Sequence, residues 1–541
     1  MKMPAAAILL ALGAMPAHAM TDAQLRDLVA QRLHGDRTGA CMAVAVVEKA
    51  QVARAYVCAD DKDEGRIGPD SAFEIGSISK TMTAALLAEL ILQGKGSLDD
   101  PLSAWLPEGT KVPDYQGQPI LLRHMVTHTS GLPALPSRLG ATDMSDPYAN
   151  LDAPALLASL GDATLARAPG AQFEYSNFAS MVLSYAVARR AGSDFESLIR
   201  QRLFAPLGMR HAYVNQPPAG VRAAVGHTPN TRPTPPWRFA TDLAGAGGVR
   251  ATLEDMVRYV QGGLGWTDAA IAPALALSQQ QVSDKPAMAM NWMLMPVAGR
   301  TVLLHEGGTG GFSAWASIDR ERQRGVVILS DTTWNSIGSL GSLGLHLVDA
   351  SFPLGKPRRK IDAPAELLRQ LEGEYQLPGL RMTLRQRDGK LFVHPKGKGE
   401  YEMAYDDAGD FHPLALDAVL KPQRKADGSH AFTWAQMGAM VHATRVDKAA
   451  AAVPALSAQA LAEYEGRYPL MPGFELAVRS DGSRLHARAT GQGEFALEAS
   501  GADRFEAAAF GIEIVFRRDA SGKVAALELH QAGRMLKGER Q

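Results

Sequence analysis

The chain has few of the residues that build disulfide scaffolds or metal sites. Its 541 residues contain two cysteines, Cys41 and Cys58, which excludes a disulfide framework and a cysteine-based zinc site. No G-x-x-x-x-G-K-[ST] phosphate loop occurs. A formal net charge of −1 gives no basic surface for nucleic acid. We therefore expect no metal, no cofactor and no nucleic-acid partner.

Apolar runs long enough to span a membrane are also missing beyond the first nineteen residues. Lys2 precedes an apolar stretch at 5–14, and Ala17-His18-Ala19 offers a cleavage site, which is typical of a secretory signal peptide. An N-terminal anchor helix is the alternative, but the run is too short to span a bilayer. We expect a signal peptide over 1–19, an exported (periplasmic or secreted) mature protein, and no membrane span in the mature chain.

The length indicates several domains, since 541 residues exceed one ordinary domain. Over residues 20–352, strand patterns stand at both ends of a helix-rich middle. This order predicts an α+β domain, an antiparallel sheet with flanking helices. Prolines and the basic run Arg358-Arg359-Lys360 mark a linker over 353–364.

The remaining chain repeats itself. Glu372-Gly373-Glu374-Tyr375 matches Glu465-Gly466-Arg467-Tyr468, and residues 397–401 match 491–495. Strand-like alternation dominates both copies. The repeat predicts two small antiparallel β-barrels, lipocalin-like, over 365–447 and 458–541, with a second linker at 448–457.

Ser77 and Lys80 form the only Ser-x-x-Lys frame. The apolar run 84–92 that follows predicts a buried helix, which places the two residues on one face of its first turn. A serine hydroxyl needs an adjacent base to become a nucleophile, and burial turns a lysine into such a base. The bland alternative is a solvated lysine on a helix that starts with serine.

A proton relay and a carbonyl-binding amide could come from a Tyr-x-Asn frame, which occurs at Tyr148, Tyr175 and Tyr213. Tyr175 and Asn177 are favoured because they follow a Pro-Gly turn and begin a long apolar segment. Tyr148 stands in a loop of Asp, Pro and Asn, and Tyr213 precedes two prolines.

Two further groups of residues allow a functional or a structural interpretation. His305 and Gly307 form the only His-x-Gly frame, where a glycine would let substrate approach a strand edge; the alternative is a flexible glycine-rich turn. His124 and His128 are interpreted as structural histidines.

Taken together, these motifs resemble the penicillin-binding protein and class C β-lactamase superfamily over about residues 20–350. The segments that carry the resemblance are 75–81 (Ile-Gly-Ser-Ile-Ser-Lys-Thr), 127–132 (Thr-His-Thr-Ser-Gly-Leu), 175–177, 206–209 (Pro-Leu-Gly-Met) and 305–308.

The resemblance implies a serine hydrolase that works through an acyl-enzyme. It implies Ser77 as nucleophile, Lys80 as base and Tyr175 as proton shuttle. Asn177, His305 and Gly307 would contact a small-molecule or peptide substrate, such as a cell-wall fragment, and backbone N–H groups of Ser77 and Gly308 would form the oxyanion hole.

The third motif departs from class C β-lactamases, which carry Lys-Thr-Gly where this chain has residues 305–307. That difference, with the two C-terminal barrels, resembles D-aminopeptidases and related esterases and peptidases. We expect D-amino-acid peptides or amides as substrates. The alternatives are a family VIII-like carboxylesterase, a weak class C-type β-lactamase, and a penicillin-binding sensor that never turns over.

The cysteines and one C-terminal loop give two further expectations. A two-residue turn at Lys49 and Ala50 would place Cys41 directly opposite Cys58, within reach of a disulfide. The D-aminopeptidase resemblance implies that a last-barrel loop limits substrate size; residues 489–494 are the candidate, with Glu494 meeting a substrate amine.

Overall fold

The structure, a computed structural model, describes most of the chain. It covers residues 19–541 except 37, 142, 144, 229–231, 285, 334–339, 378–379, 396–399, 414–417, 426–429, 437–438, 447–455, 472–473, 491–493, 508–511, 520 and 532–533. The predicted signal peptide up to residue 18, most of the predicted linker 448–457, and glycines 491 and 493 of the proposed loop lie outside the described residues. The chain divides into two compact units, Met1–Pro357 and Arg358–Gln541.

An eight-stranded antiparallel sheet forms the centre of the first unit. The N-terminal hairpin joins the strands from the end of this unit, as the order of the sequence patterns predicted. From one edge to the other, the strands are Ser283–Asp284, Ala287–Met288, Met293–Val297, Arg300–Gly308, Ser313–Asp319, Arg324–Ser330, Cys41–Glu48 and Val52–Cys58.

Helices cover both faces of this sheet. The strand Cys41–Glu48 is buried along almost its whole length, because its odd-numbered residues enter one core and its even-numbered residues another. The larger core holds the helices Ser79–Leu92, Asn177–Ala191 and Leu253–Gly263. The smaller core holds helices at the two ends of the unit, Asp22–Leu33 and Gly341–Val348.

Shorter elements complete the first unit. Among the residues that the structure describes, the other α-helices of this unit are Leu122–Val126, Ala153–Asp162, Phe195–Ile199, Ala205–Leu207 and Ala272–Ser278. The small strands are Ser71–Glu74, Asp114–Tyr115, Gln118–Pro119, Arg222–Ala223, Gly226–His227, Pro233–Thr234 and Arg250–Ala251.

The helix Ser79–Leu92 is the buried helix that the apolar run predicted. Eleven of its fourteen residues are buried, so it packs on all sides. Gly94, with φ of +71°, follows its end and supplies the left-handed residue that terminates many helices. The helix therefore holds its first turn rigidly inside the domain.

The second unit contains two sheets of eight-stranded barrel type. In the first, the strand Gly373–Leu377 pairs with the last strand, Ala439–Val446, and closes the barrel. The intervening strands are Leu380–Arg387, Lys390–Pro395, Tyr401–Asp406, Phe411–Pro413, Val419–Arg424 and His430–Gln436, and the helix Ala365–Leu371 precedes them.

The second barrel is nearly closed. Its last residue, Gln541, donates a backbone hydrogen bond to the Arg467 carbonyl oxygen on the first strand (2.9 Å). The helix Ala458–Ala462 precedes the strands Gly466–Met471, Phe474–Ser480, Leu485–Ala489, Phe495–Gly501, Arg504–Ala507, Ile512–Arg518, Val524–Gln531 and Arg534–Glu539. The predicted fold class, an α+β domain followed by two antiparallel barrels, is confirmed.

The repeated tyrosines occupy equivalent places in the two barrels. Tyr375 and Tyr468 are fully buried. Each hydroxyl donates to the carbonyl oxygen four residues earlier, at Leu371 and Tyr464, over 2.9 Å. The sequence repeat therefore carries one shared packing unit, a tyrosine on the first strand that bonds to the last residue of the preceding helix in one barrel and just beyond that helix in the other.

The end of the predicted linker 353–364 is built into the first barrel. Lys360–Ile361 forms a short strand that pairs with Tyr405 and Asp406. Arg358 contacts the carboxylates of Asp406 (3.1 Å) and Asp410 (2.8 Å). Proline and charge content alone did not indicate this pairing, because it depends on a strand some 45 residues away in sequence.

Candidate active site

Ser77 lies in a tight turn between a short strand and a long helix. The strand Ser71–Glu74 leads into a single 3₁₀ turn, Gly76–Ile78, and the α-helix begins at Ser79. The Ser79 hydroxyl donates to the Gly76 carbonyl oxygen (2.7 Å) and accepts from the Val249 N–H (3.2 Å). These bonds fix the turn, so Ser77 projects from a rigid support and remains partly exposed.

Lys80 is fully buried and points at Ser77. Its Nζ lies 2.9 Å from Ser77 Oγ, 2.8 Å from Asn177 Oδ1 and 2.6 Å from the Ala246 carbonyl oxygen. Burial lowers the pKa of this amine from 10.5 to about 7. In the neutral amine, the two carbonyl oxygens bind two N–H groups, so the lone pair faces Ser77 Oγ. This arrangement suits proton abstraction from the serine.

Tyr175 provides the second polar group beside the serine. Its hydroxyl is hydrogen-bonded to Ser77, and burial of that end of the side chain raises the phenol pKa, although 38% of the residue surface stays exposed. The Lys80 Nζ lies 5.0 Å from the ring centroid. Since the phenol keeps its proton at neutral pH, Tyr175 can donate a proton to a neighbouring group but cannot act as the base of the resting enzyme.

The side-chain amide of Asn177 is held from both ends. Its Oδ1 accepts from Lys80, and its Nδ2 donates to the Tyr148 hydroxyl (3.2 Å). Tyr148 is 3% exposed and packs against the rings of Trp237 and Phe239. The loop frame that the sequence disfavoured therefore contributes its tyrosine to the site.

The other three members of the disfavoured frames lie elsewhere. Asn215 donates to the Thr241 hydroxyl (3.1 Å). Asn150 donates to the Gly140 carbonyl oxygen (3.3 Å). Tyr213 is buried under the Arg250 guanidinium.

His305 belongs to a regular strand, Arg300–Gly308. The alternative of a flexible glycine-rich turn is therefore wrong for this residue. The ring is 4% exposed, and Nδ1 is hydrogen-bonded to the Glu306 carbonyl oxygen (2.6 Å). Burial, followed by the nearby Lys80, lowers its pKa to about 4. His305 is thus neutral at physiological pH and presents no fixed positive charge.

Gly307 and Gly308 pack directly on the turn that carries Ser77. A Cβ atom on Gly307 would lie 1.9 Å from the Ile75 carbonyl oxygen, and one on Gly76 would lie 2.5 Å from the Gly308 nitrogen. The sequence interpretation assigned the glycine at 307 to substrate approach. The structure gives it an additional reason, the close approach of the protein's own backbone.

The Gly308 nitrogen lies beside this same turn. Thr309 donates its backbone N–H to the Phe312 carbonyl oxygen, which makes these two residues a hydrogen-bonded pair of the antiparallel ladder. Because hydrogen-bonded and non-hydrogen-bonded pairs alternate along an antiparallel ladder, the Gly308 N–H points away from the neighbouring strand Ser313–Asp319. The Ser77 nitrogen lies at the same contact, beside Gly307, and the joint role of the two N–H groups as an oxyanion hole stays a prediction.

Three contributors to the site were not assigned to it from the sequence: His128, Tyr148 and the Ala246 carbonyl oxygen. His128 was interpreted as structural, yet its ring stacks on Tyr175 with centroids 4.3 Å apart. His124, by contrast, caps its own helix by accepting from the Leu121 N–H (3.1 Å).

The two cysteines face each other across the N-terminal hairpin. The register pairs Cys41 with Cys58, as the predicted turn at Lys49 and Ala50 requires. Glu48 and Gln51 exchange the hydrogen bonds that close this turn. The sulfur atoms are joined as a disulfide.

Outside the catalytic turn, three observations concern metal ions, membrane spans and the C-terminal loop. In the part of the chain that the structure describes, no group of three or more His, Cys, Asp or Glu side chains is arranged to hold a metal ion, and no helix has the length and apolarity to cross a membrane. Glu494, proposed to meet a substrate amine, forms an ion pair with Arg479 (2.5 Å).

Two family models match parts of the chain. The family model described as Beta-lactamase matches residues 25–335, and a domain family of unknown function, DUF3471, matches residues 450–540.

Individual relatives and one solved structure are similar to parts of the chain. D-alanyl-D-alanine-carboxypeptidase/endopeptidase AmpH of Escherichia coli (strain K12) is 29% identical over 309 residues, which is 53% of this chain and 78% of that protein. Esterase EstB of Burkholderia gladioli is 32% identical over 160 residues, 28% of this chain and 40% of that protein. The structure of a class C beta-lactamase shares the fold with a TM-score of 0.52, at 22% identity, over 61% of this chain and 97% of that chain.

Proposed function

Since the chain belongs to the beta-lactamase family of serine hydrolases, we propose that it cleaves amide or ester bonds through an acyl-enzyme on Ser77. The observation that carries this proposal is the environment of Lys80. A fully buried amine binds two carbonyl oxygens and turns its third position to Ser77 Oγ, so its neutral form can only accept the serine proton.

The proposed reaction has two halves. Ser77 Oγ attacks the substrate carbonyl carbon while its proton passes to Lys80 Nζ, and the Ser77 and Gly308 N–H groups bind the oxyanion. As the bond to the leaving group breaks, Tyr175 gives its proton to that group and takes one from Lys80. Water then repeats the sequence on the acyl-enzyme, which releases the acid and restores Ser77.

We infer D-amino-acid peptides or amides as the substrate class. Two observations support this. AmpH, a relative over most of its own length, carries a D-alanyl-D-alanine carboxypeptidase name. The Asn177 amide, held by Lys80 and Tyr148, offers a donor suited to an amide carbonyl.

A carboxylesterase is the second candidate, and His305 favours it. A neutral histidine at this place supplies no fixed charge for a substrate carboxylate, and an ester substrate needs none. The segment similar to EstB supports the same candidate. Weak β-lactam hydrolysis and a non-turnover penicillin-binding sensor complete the alternatives.

A substrate panel separates these candidates. D-alanine p-nitroanilide and D-alanyl-D-alanine test the peptidase, p-nitrophenyl acetate the esterase and nitrocefin the β-lactamase. The Ser77→Ala variant, purified in parallel, is the matched control. Highest kcat/KM on the D-alanine compounds supports the proposal, whereas turnover of esters alone supports the second candidate. A permanent β-lactam adduct without turnover of any compound would indicate the sensor.

Export remains part of the proposal. An N-terminal segment with the pattern of a signal peptide and a disulfide that suits an oxidising compartment support a periplasmic or secreted enzyme. Fractionation of cells that express the full chain, followed by N-terminal sequencing, tests it. A mature protein that begins near Met20 in the exported fraction is expected, and an uncleaved chain in the cytoplasmic fraction would contradict export.

A further inference from the structure

His128 binds the backbone on both sides of Tyr175. Its carbonyl oxygen accepts from the Glu174 N–H (2.7 Å), and its ring Nδ1 accepts from the Ser176 N–H (3.2 Å). The residue adopts a φ of +53°, in the left-handed region that few residues other than glycine enter. The unusual backbone therefore coincides with a residue that clamps the segment carrying Tyr175.

The ring of His128 also packs on the tyrosine itself. It is fully buried and stacks on the Tyr175 ring, with centroids 4.3 Å apart and an interplanar angle of 29°. Phe173 meets the same imidazole edge-to-face at 6.0 Å. Because Nδ1 is bound to the Ser176 N–H, the imidazole cannot rotate without losing that bond.

The charge state of His128 suits the neighbouring amine. Since Nδ1 accepts a hydrogen bond, the proton of the neutral ring lies on Nε2, which is buried without a hydrogen-bond partner among the described residues. Burial, together with Lys80 and His305, holds the pKa of the ring well below its ordinary value. His128 therefore supports Tyr175 without adding positive charge beside Lys80.

We propose that His128 is a positioning residue that holds the Tyr175 hydroxyl against Ser77 Oγ for proton transfer. This rests on the proposed role of Tyr175 in the hydrolase reaction. The effect should fall on the chemical step, because His128 acts through the tyrosine and is itself shielded from solvent. Substrate affinity should change little.

The test begins with His128→Asn. Asparagine tolerates the left-handed backbone but removes the ring that stacks on Tyr175. We expect kcat to fall about 10- to 100-fold, the usual consequence of a misplaced proton-transfer group, with KM within about threefold. His128→Gly, which also tolerates the left-handed backbone and removes the ring altogether, is a second variant with the same expected loss should the first fail to fold.

The decisive comparison repeats the His128 substitution in a Tyr175→Phe background. The assay uses D-alanine p-nitroanilide or p-nitrophenyl acetate, whichever the wild-type protein turns over faster. With no hydroxyl to position, the substitution should lower kcat by less than about threefold, since residues that act as one unit are non-additive. An equal loss in both backgrounds would show a general structural role and overturn the proposal.

The design also separates this inference from the proposed function. Wild-type kcat in Tyr175→Phe would refute the role of Tyr175 and with it the positioning role of His128. Hydrolysis through Ser77 would still stand, because the Ser77→Ala control tests it independently.

Discussion

Lowering the pH should switch this enzyme off through Lys80. The reaction needs the neutral amine, and burial places the pKa of Lys80 at about 7. The neutral fraction, and with it kcat/KM, should therefore fall to about half at pH 7 and to about one hundredth at pH 5, relative to a plateau above pH 8.

Other groups in the site should not produce this transition. The pKa of His305 lies at about 4 and that of His128 well below its ordinary value. The phenol pKa of Tyr175 is raised, so it stays protonated across the range. A plot of log kcat/KM against pH should therefore show a single acid limb with a slope of one.

The assay measures kcat/KM between pH 5 and 9 with an amide substrate, because esters hydrolyse spontaneously in alkali. A rise that continues to pH 9 without a plateau, as the ordinary lysine pKa of 10.5 would give, or a flat profile, would refute the reasoning. Stability offers an independent check with Lys80→Met as control. The unfolded chain binds this proton more tightly, so the unfolding free energy should rise by about 1.4 kcal/mol per pH unit between about pH 7 and 10.5. The control variant should lose that slope.

Three further outcomes follow from the packing of the site. Gly307→Ala should destabilise the domain by about 3 kcal/mol or more and abolish turnover, because the added Cβ would meet the Ile75 carbonyl oxygen at 1.9 Å; a normal melting temperature with full activity would argue against the packing. Tyr148→Phe should keep the ring but free the Asn177 amide, lowering kcat about tenfold at a cost of about 1 kcal/mol in unfolding free energy; an unchanged kcat would remove Tyr148 from the site. Reducing the disulfide, which closes a loop of 17 residues, should lower the free energy of unfolding by about 3 kcal/mol. Alkylation of the denatured, unreduced protein should find no free thiol, and two labelled cysteines would reject the bond.

Contacts between residues that are close in sequence could be predicted from their spacing alone. Ser77 lies in the 3₁₀ turn that leads into the helix, and Lys80 lies three residues later in the first turn of that helix, so their contact follows from local helical geometry. The pairing of Cys41 with Cys58 likewise follows from a two-residue turn and strand alternation. The barrels could be predicted because strands that alternate and repeat carry their own signal.

The rest of the site depends on tertiary contacts that no local pattern carries. His128 reaches Ser176 across 48 residues and Tyr148 reaches Asn177 across 29. The third partner of Lys80 is a backbone carbonyl, that of Ala246, which any residue type could provide. The loop around Tyr148 has the composition of a surface turn, although two aromatic rings bury its phenol.

The central claim is acylation of Ser77, and intact-mass spectrometry of an acid-quenched reaction tests it most directly. After brief mixing with p-nitrophenyl acetate, the wild-type protein should carry one acetyl group, and peptide mapping should locate it on Ser77. The Ser77→Ala variant should carry none. Turnover at wild-type rate by Ser77→Ala, or an acetyl group on another residue of the active protein, would contradict the account.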